Sequence, residues 1–313
     1  MNYNDIWLEP NCTSDVKTRD DIDTSVKIGD LNIEIPIMNA PMVDVVDSSI
    51  ATDIWVAGGL PILHRFSSLE FSMSQFLKCS PDTYCSIGIN TADTNRYSAL
   101  YDLGARHFCV DVANGANTNV LSFLTALPNF KKCSFIVGNF SHKNQIKSYK
   151  KFSNIVGYRM GVGPGAGCST KNATGVLASP VDIMFNKKIR AKDKMIADGG
   201  IKEPGDLCKA IGMGANFGML GASIAACSNS PAKEVVGKDN KVYKVYSGSA
   251  SFEIQKKYKE PRYIEGITKN LEFNSKSVSA LLSSYQDGLK SAMAYFGAYT
   301  IKEFQEKATF RKD

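Results

Sequence analysis

Cys168 closes a run of small residues, Gly161-Val162-Gly163-Pro164-Gly165-Ala166-Gly167-Cys168-Ser169-Thr170. A thiol at the end of so bare a loop points to covalent catalysis. The loop's glycines let the backbone reach positive φ and lie close to a ligand, while Pro164 removes one N–H and stiffens the turn. What remains is a row of backbone donors and acceptors beside a sulfur whose thiolate is a strong nucleophile. Judged by residue type alone, a cysteine is more often a small buried hydrophobe. Glycine-rich loops also cradle phosphate. Cys168 followed two residues on by Thr170 is the sharper signal, because a packed core cysteine needs neither the glycines nor the hydroxyl.

The elements that must carry this loop fit a soluble enzyme. The chain has 313 residues, 43% hydrophobic and 22% charged, ordinary proportions for a globular protein with room for one large domain or two small ones. No apolar run approaches a membrane span. Met1-Asn2-Tyr3-Asn4-Asp5 lacks the basic start and apolar stretch of a secretory signal, so a cytoplasmic location is expected. The 8 cysteines form no C-x-x-C pair and the 3 histidines show no metal-ligand spacing, which argues against a zinc site. In a reducing compartment most of these cysteines are expected to be free. The net charge of +6 is mild. The lysines between Lys143 and Lys151 lack interleaved aromatics and read as a solvated helix face, not a nucleic-acid site. A modest positive balance also suits an anionic nucleotide.

Short strand-like runs recur at Ile35–Met38, Gly59–Leu63, Tyr84–Ile89, Phe108–Val112, Ser134–Val137, Ile155–Val162, Lys194–Ala197 and Phe217–Leu220. Most successive starts lie about 24 residues apart, one strand plus one helix. They are apolar on both faces rather than alternating, as in a covered parallel sheet. Helix-like segments fall between them at Ser48–Ala57, Asn117–Ala126, Asn144–Phe152 and Pro204–Gly212. The expected fold is therefore α/β, a (β/α)₈ TIM barrel forming one domain over residues 1–313, with a doubly wound sheet as the alternative. The period breaks once, between strands six and seven, where the Cys168 loop is inserted. Asp111-Val112-Ala113-Asn114-Gly115, Gly138-Asn139, Asp198-Gly199-Gly200 and Gly221-Ala222-Ser223 mark other strand ends, and such ends carry barrel chemistry. Gly199-Gly200 also reads as a tight turn and nothing more. Residues Val235 to Lys269 read as a long excursion, a candidate flap of about 235–269. Closing helices are expected at Val278–Ala294 and around Ile301–Lys307.

These residues resemble the IMP dehydrogenase/GMP reductase family. The likeness runs through Tyr3-Asn4-Asp5-Ile6, Pro41-Met42, Gly161 to Thr174-Gly175-Val176, Asp198-Gly199-Gly200 with Pro204-Gly205-Asp206, Glu265-Gly266 and Gly297-Ala298-Tyr299-Thr300-Ile301. It implies a barrel that assembles as a homotetramer and a cysteine that attacks C2 of a bound purine mononucleotide. By resemblance Cys168 is the nucleophile, and Thr170 and Glu265 assist the leaving group. Asp198 would bond the ribose, while Gly200 and Gly221 would donate N–H groups to the phosphate. Met42, Gly199, Ala222, Gly248 and Ser249 would complete the substrate site. The carbonyls of Gly163, Gly165 and Cys168 match positions that hold potassium or another monovalent cation. Arg65, Asp111 and Asn114 are candidates for the nicotinamide cofactor, which no G-x-G-x-x-G motif would hold.

Within the family the chain looks closer to the reductase, which converts GMP to IMP with NADPH and releases ammonia. Asp111-Val112-Ala113-Asn114-Gly115 is similar to the reductase strand end, no room exists for the regulatory CBS insert of most dehydrogenases, and Tyr246 and Glu265 are close in sequence. Arg262-Tyr263 instead resembles the dehydrogenase's water-activating pair, and its plainer reading is a solvated turn after Pro261. Departures are Met42-Val43-Asp44-Val45, with its carboxylate one residue late, His64-Arg65-Phe66 in place of His-Lys-His-Tyr, and Ser249 in place of Met. The alternatives are an IMP dehydrogenase without the insert, a catalytically silent nucleotide-binding barrel, and a flavin-dependent barrel.

Overall fold

Eight short strands, β1 (Ile37–Asn39), β2 (Ile62–Leu63), β3 (Tyr84–Ile87), β4 (His107–Asp111), β5 (Ser134–Phe140), β6 (Ile155–Met160), β7 (Met195–Asp198) and β8 (Phe217–Leu220), pair in parallel around a ring. β8 returns to β1, and the Met38–Leu60 bridge joins β1 to the segment entering β2. The result is a (β/α)₈ barrel in a computed structural model that describes residues 1–185, 191–258 and 260–312. β3 and β6 are buried along their whole length, which is why they read as unbroken apolar runs.

Inside the ring Met38, Ile62, Tyr84, Cys109, Ile136, Ile196 and Phe217 pack against one another. A hairpin of Val26–Ile28 and Leu31–Ile33 adds Ile28 and Ile33 to this cluster and plugs the end where the strands begin. A larger apolar layer lies between the strands and the outer helices. Outside the ring, Ile6–Leu8 pairs with Phe310–Lys312.

The expected helices are present at Ser48–Val56, Thr118–Ala126, Pro204–Gly212, Val278–Tyr295 and Ile301–Lys307. Two more, Leu69–Phe76 and Thr91–Asp102, start at the caps Ser68 and Asn90. The expected helix Asn144–Phe152 is absent. In its place a 3₁₀ turn spans Lys143–Ile146, followed by further three-residue turns in which Tyr149 N–H donates to Ile146 and Phe152 N–H to Tyr149. Ile146, Tyr149 and Phe152 recur every third residue, a spacing that suits 3₁₀ geometry better than α.

The excursion after β8 is not an irregular loop. Strands β9 (Glu234–Val236), β10 (Val242–Ser247) and β11 (Thr268–Glu272) form an antiparallel sheet, with a helix at Phe252–Tyr258. Its many lysines and tyrosines hide the two-residue alternation of a sheet covered on one face. One lysine is itself buried: Lys244 Nζ donates to the carbonyls of Ser228, Ser230 and Ala232 at 3.2, 3.4 and 3.3 Å and pairs with Glu234 at 3.0 Å.

Candidate active site

The Cys168 loop follows β6 and is held by backbone contacts on both sides. Ile267 N–H donates to the Gly167 carbonyl at 3.0 Å, and Ser169 N–H to the Glu265 carbonyl at 2.8 Å. Gly248 N–H donates to Ile267 O at 3.0 Å. Three segments thus meet with no room for side chains. A Cβ on Gly248 would lie 2.1 Å from Gly167 O, and one on Gly161 would lie 2.1 Å from Asp198 O. Gly161 also has φ +142°, a conformation that favours glycine.

This packing lines up three polar side chains. The Cys168 thiol donates to Thr170 Oγ1 at 3.0 Å, and the Thr170 hydroxyl donates to Glu265 Oε2 at 2.7 Å. A proton leaving sulfur therefore has a hydroxyl-bridged path to a carboxylate. Cys168 is half-buried, so the sulfur can meet a ligand.

Other expected residues ring the same mouth. Gly199 and Gly200 have φ of +98° and +87°, and a Cβ on Gly199 would sit 3.1 Å from Gly165 N. Gly221 precedes the short helix Ala222–Ala225, and a Cβ there would meet the Tyr246 hydroxyl at 2.9 Å. Tyr246 donates to Met42 Sδ at 3.4 Å. Burial, aided by Asp198, Asp44 and Cys168, pushes this phenol's pKa up, so it stays protonated. Ser249 is half-buried just after Gly248. Asn114 stands apart from the carboxylate network: it is exposed, and its Oδ1 accepts the Ala116 N–H at 3.0 Å within a local turn.

Beneath the mouth lies a charged network that composition and spacing do not show. Arg159, 6% exposed, joins two expected site residues. Its Nη1 donates to Asp111 Oδ1 at 2.6 Å, and its Nε to Asp198 Oδ2 at 3.0 Å. Asn139 Nδ2 donates to the same Asp198 oxygen at 2.6 Å and to Gly161 O at 2.8 Å. Arg65 Nε lies 3.7 Å from Asp111 Oδ2. Burial disfavours the Arg159 charge, but Asp198 and Asp111 outweigh it and hold the guanidinium firmly protonated. The late carboxylate also has a partner: Asp44 accepts the Ser247 N–H at 2.7 Å, and burial raises its pKa.

Arg262 and Tyr263 sit on an exposed turn. Arg262 pairs with Glu260 at 3.1 Å, and Tyr263 is 88% exposed. Among the described residues, no group of three or more His, Cys, Asp or Glu could hold a metal ion, and no helix is long and apolar enough to cross a membrane.

Comparisons with known proteins place the chain in a family. A sequence profile of the IMP dehydrogenase / GMP reductase domain matches residues 1–313. A protein named GMP reductase from Clostridium acetobutylicum is 30% identical over 310 residues, covering 96% of this chain and 92% of its own. One of the same name from Staphylococcus carnosus is 32% identical over 318 residues, covering 98% and 94%. A third, from Lactobacillus gasseri, is 31% identical over 311 residues, covering 95% and 90%. With a barrel fold, a profile match along its whole length and such relatives, the chain belongs to the IMP dehydrogenase / GMP reductase family of oxidoreductases.

Proposed function

We propose that this protein is a GMP reductase, converting GMP to IMP with release of ammonia. The observation that carries the reading is the directed chain from Cys168 through Thr170 to Glu265. Sulfur adds to C2 of the purine as the thiol proton passes through Thr170 to Glu265. The amino group on C2 is far too basic to leave as an anion. Returning that proton through Thr170 lets the C2–N bond break with ammonia departing, and leaves the purine joined to sulfur. General-acid help of this kind contributes about a hundredfold to ten-thousandfold. Bound NADPH supplies the hydride that goes to C2. The thiolate then departs with its electron pair, and the product is IMP.

Other residues orient the nucleotide. Asp198 uses Oδ2 for Arg159 and Asn139, and its remaining oxygen is assigned to the ribose hydroxyls. Gly200 and Gly221 would donate to the phosphate, and Met42, Gly199, Ala222, Gly248 and Ser249 would line the nucleotide. On the cofactor side Arg65, turned toward Asp111 by an ion pair at 3.7 Å, would offer its guanidinium to an anionic dinucleotide. Asp111 and Asn114 would stand beside it. A potassium ion is assigned to the carbonyls of Gly163, Gly165 and Cys168. Three neutral carbonyls bring no negative charge, which suits a monovalent ion better than a divalent one, whose sites ordinarily include carboxylates.

The reading includes a single catalytic domain with its flap at about 235–269, a homotetramer and a cytoplasmic location. The test follows NADPH absorbance and ammonia release with GMP as substrate. Both should change together, and Cys168→Ala should abolish turnover while nucleotide still binds. NADH formation from IMP and NAD, with no reaction of GMP, would replace the reductase by the dehydrogenase.

A further inference from the structure

A second cleft lies at the opposite end of the barrel from Cys168. It has a volume of about 380 Å³ and is lined by Lys27, Lys192, Lys194, Ser153 and Asn216, with Asp30 the one acidic group. Strand direction fixes its place. Lys194 precedes β7, whose far end is Asp198, and Asn216 precedes β8, whose far end leads to Gly221. Barrel chemistry and phosphate binding ordinarily occupy those far ends, so the proposed reaction leaves this cleft unused.

Two independent features suit it to a ligand. First, three lysines line it, and among the described residues none of their ammonium groups is in an ion pair. Lys194 Nζ donates to Ile155 O at 3.1 Å, which pins its stem at the cleft and leaves two of its three N–H bonds. Second, Asn216 is 9% exposed, and its Oδ1 has no hydrogen-bond partner among the described residues. A buried amide oxygen without a partner is uncommon and calls for an explanation. Turning its broad terminal torsion presents either the oxygen or the NH₂ to a guest. The cleft also falls in the size range of small-molecule sites, about 300–1,000 Å³.

We propose that this cleft binds a small phosphomonoester. Lys27, Lys192 and Lys194 hold the phosphate, and a hydroxyl or amino group of the same molecule pairs with Asn216. Attraction between exposed ammonium groups and a phosphate is screened by salt, so the affinity falls as ionic strength rises.

Calorimetric titration of the whole protein with ribose 5-phosphate, with ribose as the neutral control, tests this. Wild-type protein should show saturable, salt-sensitive binding of the phosphate ester and none of ribose. Lys27 and Lys192 are exposed, so Lys27→Glu/Lys192→Glu should keep the fold and turnover. It should nevertheless weaken a full equivalent of binding at least tenfold, and Asn216→Asp should weaken the same equivalent. Equal stoichiometry and affinity in wild type and the lysine variant would overturn the proposal, as would no saturable binding to wild type. Neither result bears on the reaction assigned to Cys168, which the GMP assay reads separately.

Discussion

The Thr170 hydroxyl donates to Glu265 Oε2 at 2.7 Å, joining positions 95 residues apart in the chain. Thr170 opens a short helix after the cysteine loop, and Glu265 arrives on the excursion after the barrel closes. The bond ties the neighbour of Cys168 to a segment that reaches the barrel mouth from outside the eight-stranded ring.

Thr170→Val keeps the shape of the side chain and removes the hydroxyl. Turnover of GMP should fall by about a hundredfold to ten-thousandfold, with nucleotide affinity changed less than threefold. Glu265→Gln should do the same. Single-turnover measurement of ammonia release locates the loss: if release stays fast in both variants, the proton path runs elsewhere.

Arg159→Leu leaves Asp111 and Asp198 facing each other in a buried site. Removing one partner of a buried ion pair costs about 3–5 kcal/mol, and urea denaturation should show it. Arg159→Lys keeps the charge but cannot engage both carboxylates with a planar fork, so it should recover only part of the stability. A loss under 1 kcal/mol in the leucine variant would contradict the role drawn for this residue.

Gly248→Ala forces a methyl group against the Gly167 carbonyl, 2.1 Å from an ideal Cβ. The two segments must separate, which displaces Cys168 relative to Glu265. Loss of at least a hundredfold in turnover is expected, together with a lower melting temperature. Full activity in the alanine variant would show that the contact is not needed.

Acid stability reports on His64. Burial, reinforced by Arg96, lowers its pKa from the ordinary 6.5 to about 4. Between those values the unfolded chain binds a proton that the folded chain refuses, so stability is present above pH 6.5 and is lost as pH falls. By linkage the contribution amounts to about 2 kcal/mol between pH 7 and pH 5. Urea midpoints for wild type and His64→Gln across that range should diverge in slope, the variant being flatter. Parallel slopes would assign the acid sensitivity to other groups.

Cys168, Thr170 and the glycines were legible because they are contiguous and unusual in composition. Strands β1 to β8 were legible because burial on both faces leaves a plain apolar run. Glu265 had no such local mark; only its company in a family pattern pointed to it. Arg159 was hidden for a different reason. It sits inside the apolar run Ile155–Val162, where one charge looks like noise until Asp198 from the adjacent strand and Asp111 from two strands away are placed beside it. The helices Leu69–Phe76 and Thr91–Asp102 announce themselves by capping rather than by apolar spacing. Asn90 and Asp93 form a reciprocal capping box, a readable signal that hydrophobic periodicity alone passes over. Asn114 was singled out by its place at a strand end, and its Oδ1 accepts the Ala116 N–H while its NH₂ group faces outward on an exposed residue.

Lys244 gives the outer sheet a fixed pivot. With its ammonium group sunk among three carbonyls and beside Glu234, the root of that sheet cannot peel from the barrel without leaving those carbonyls short of a donor.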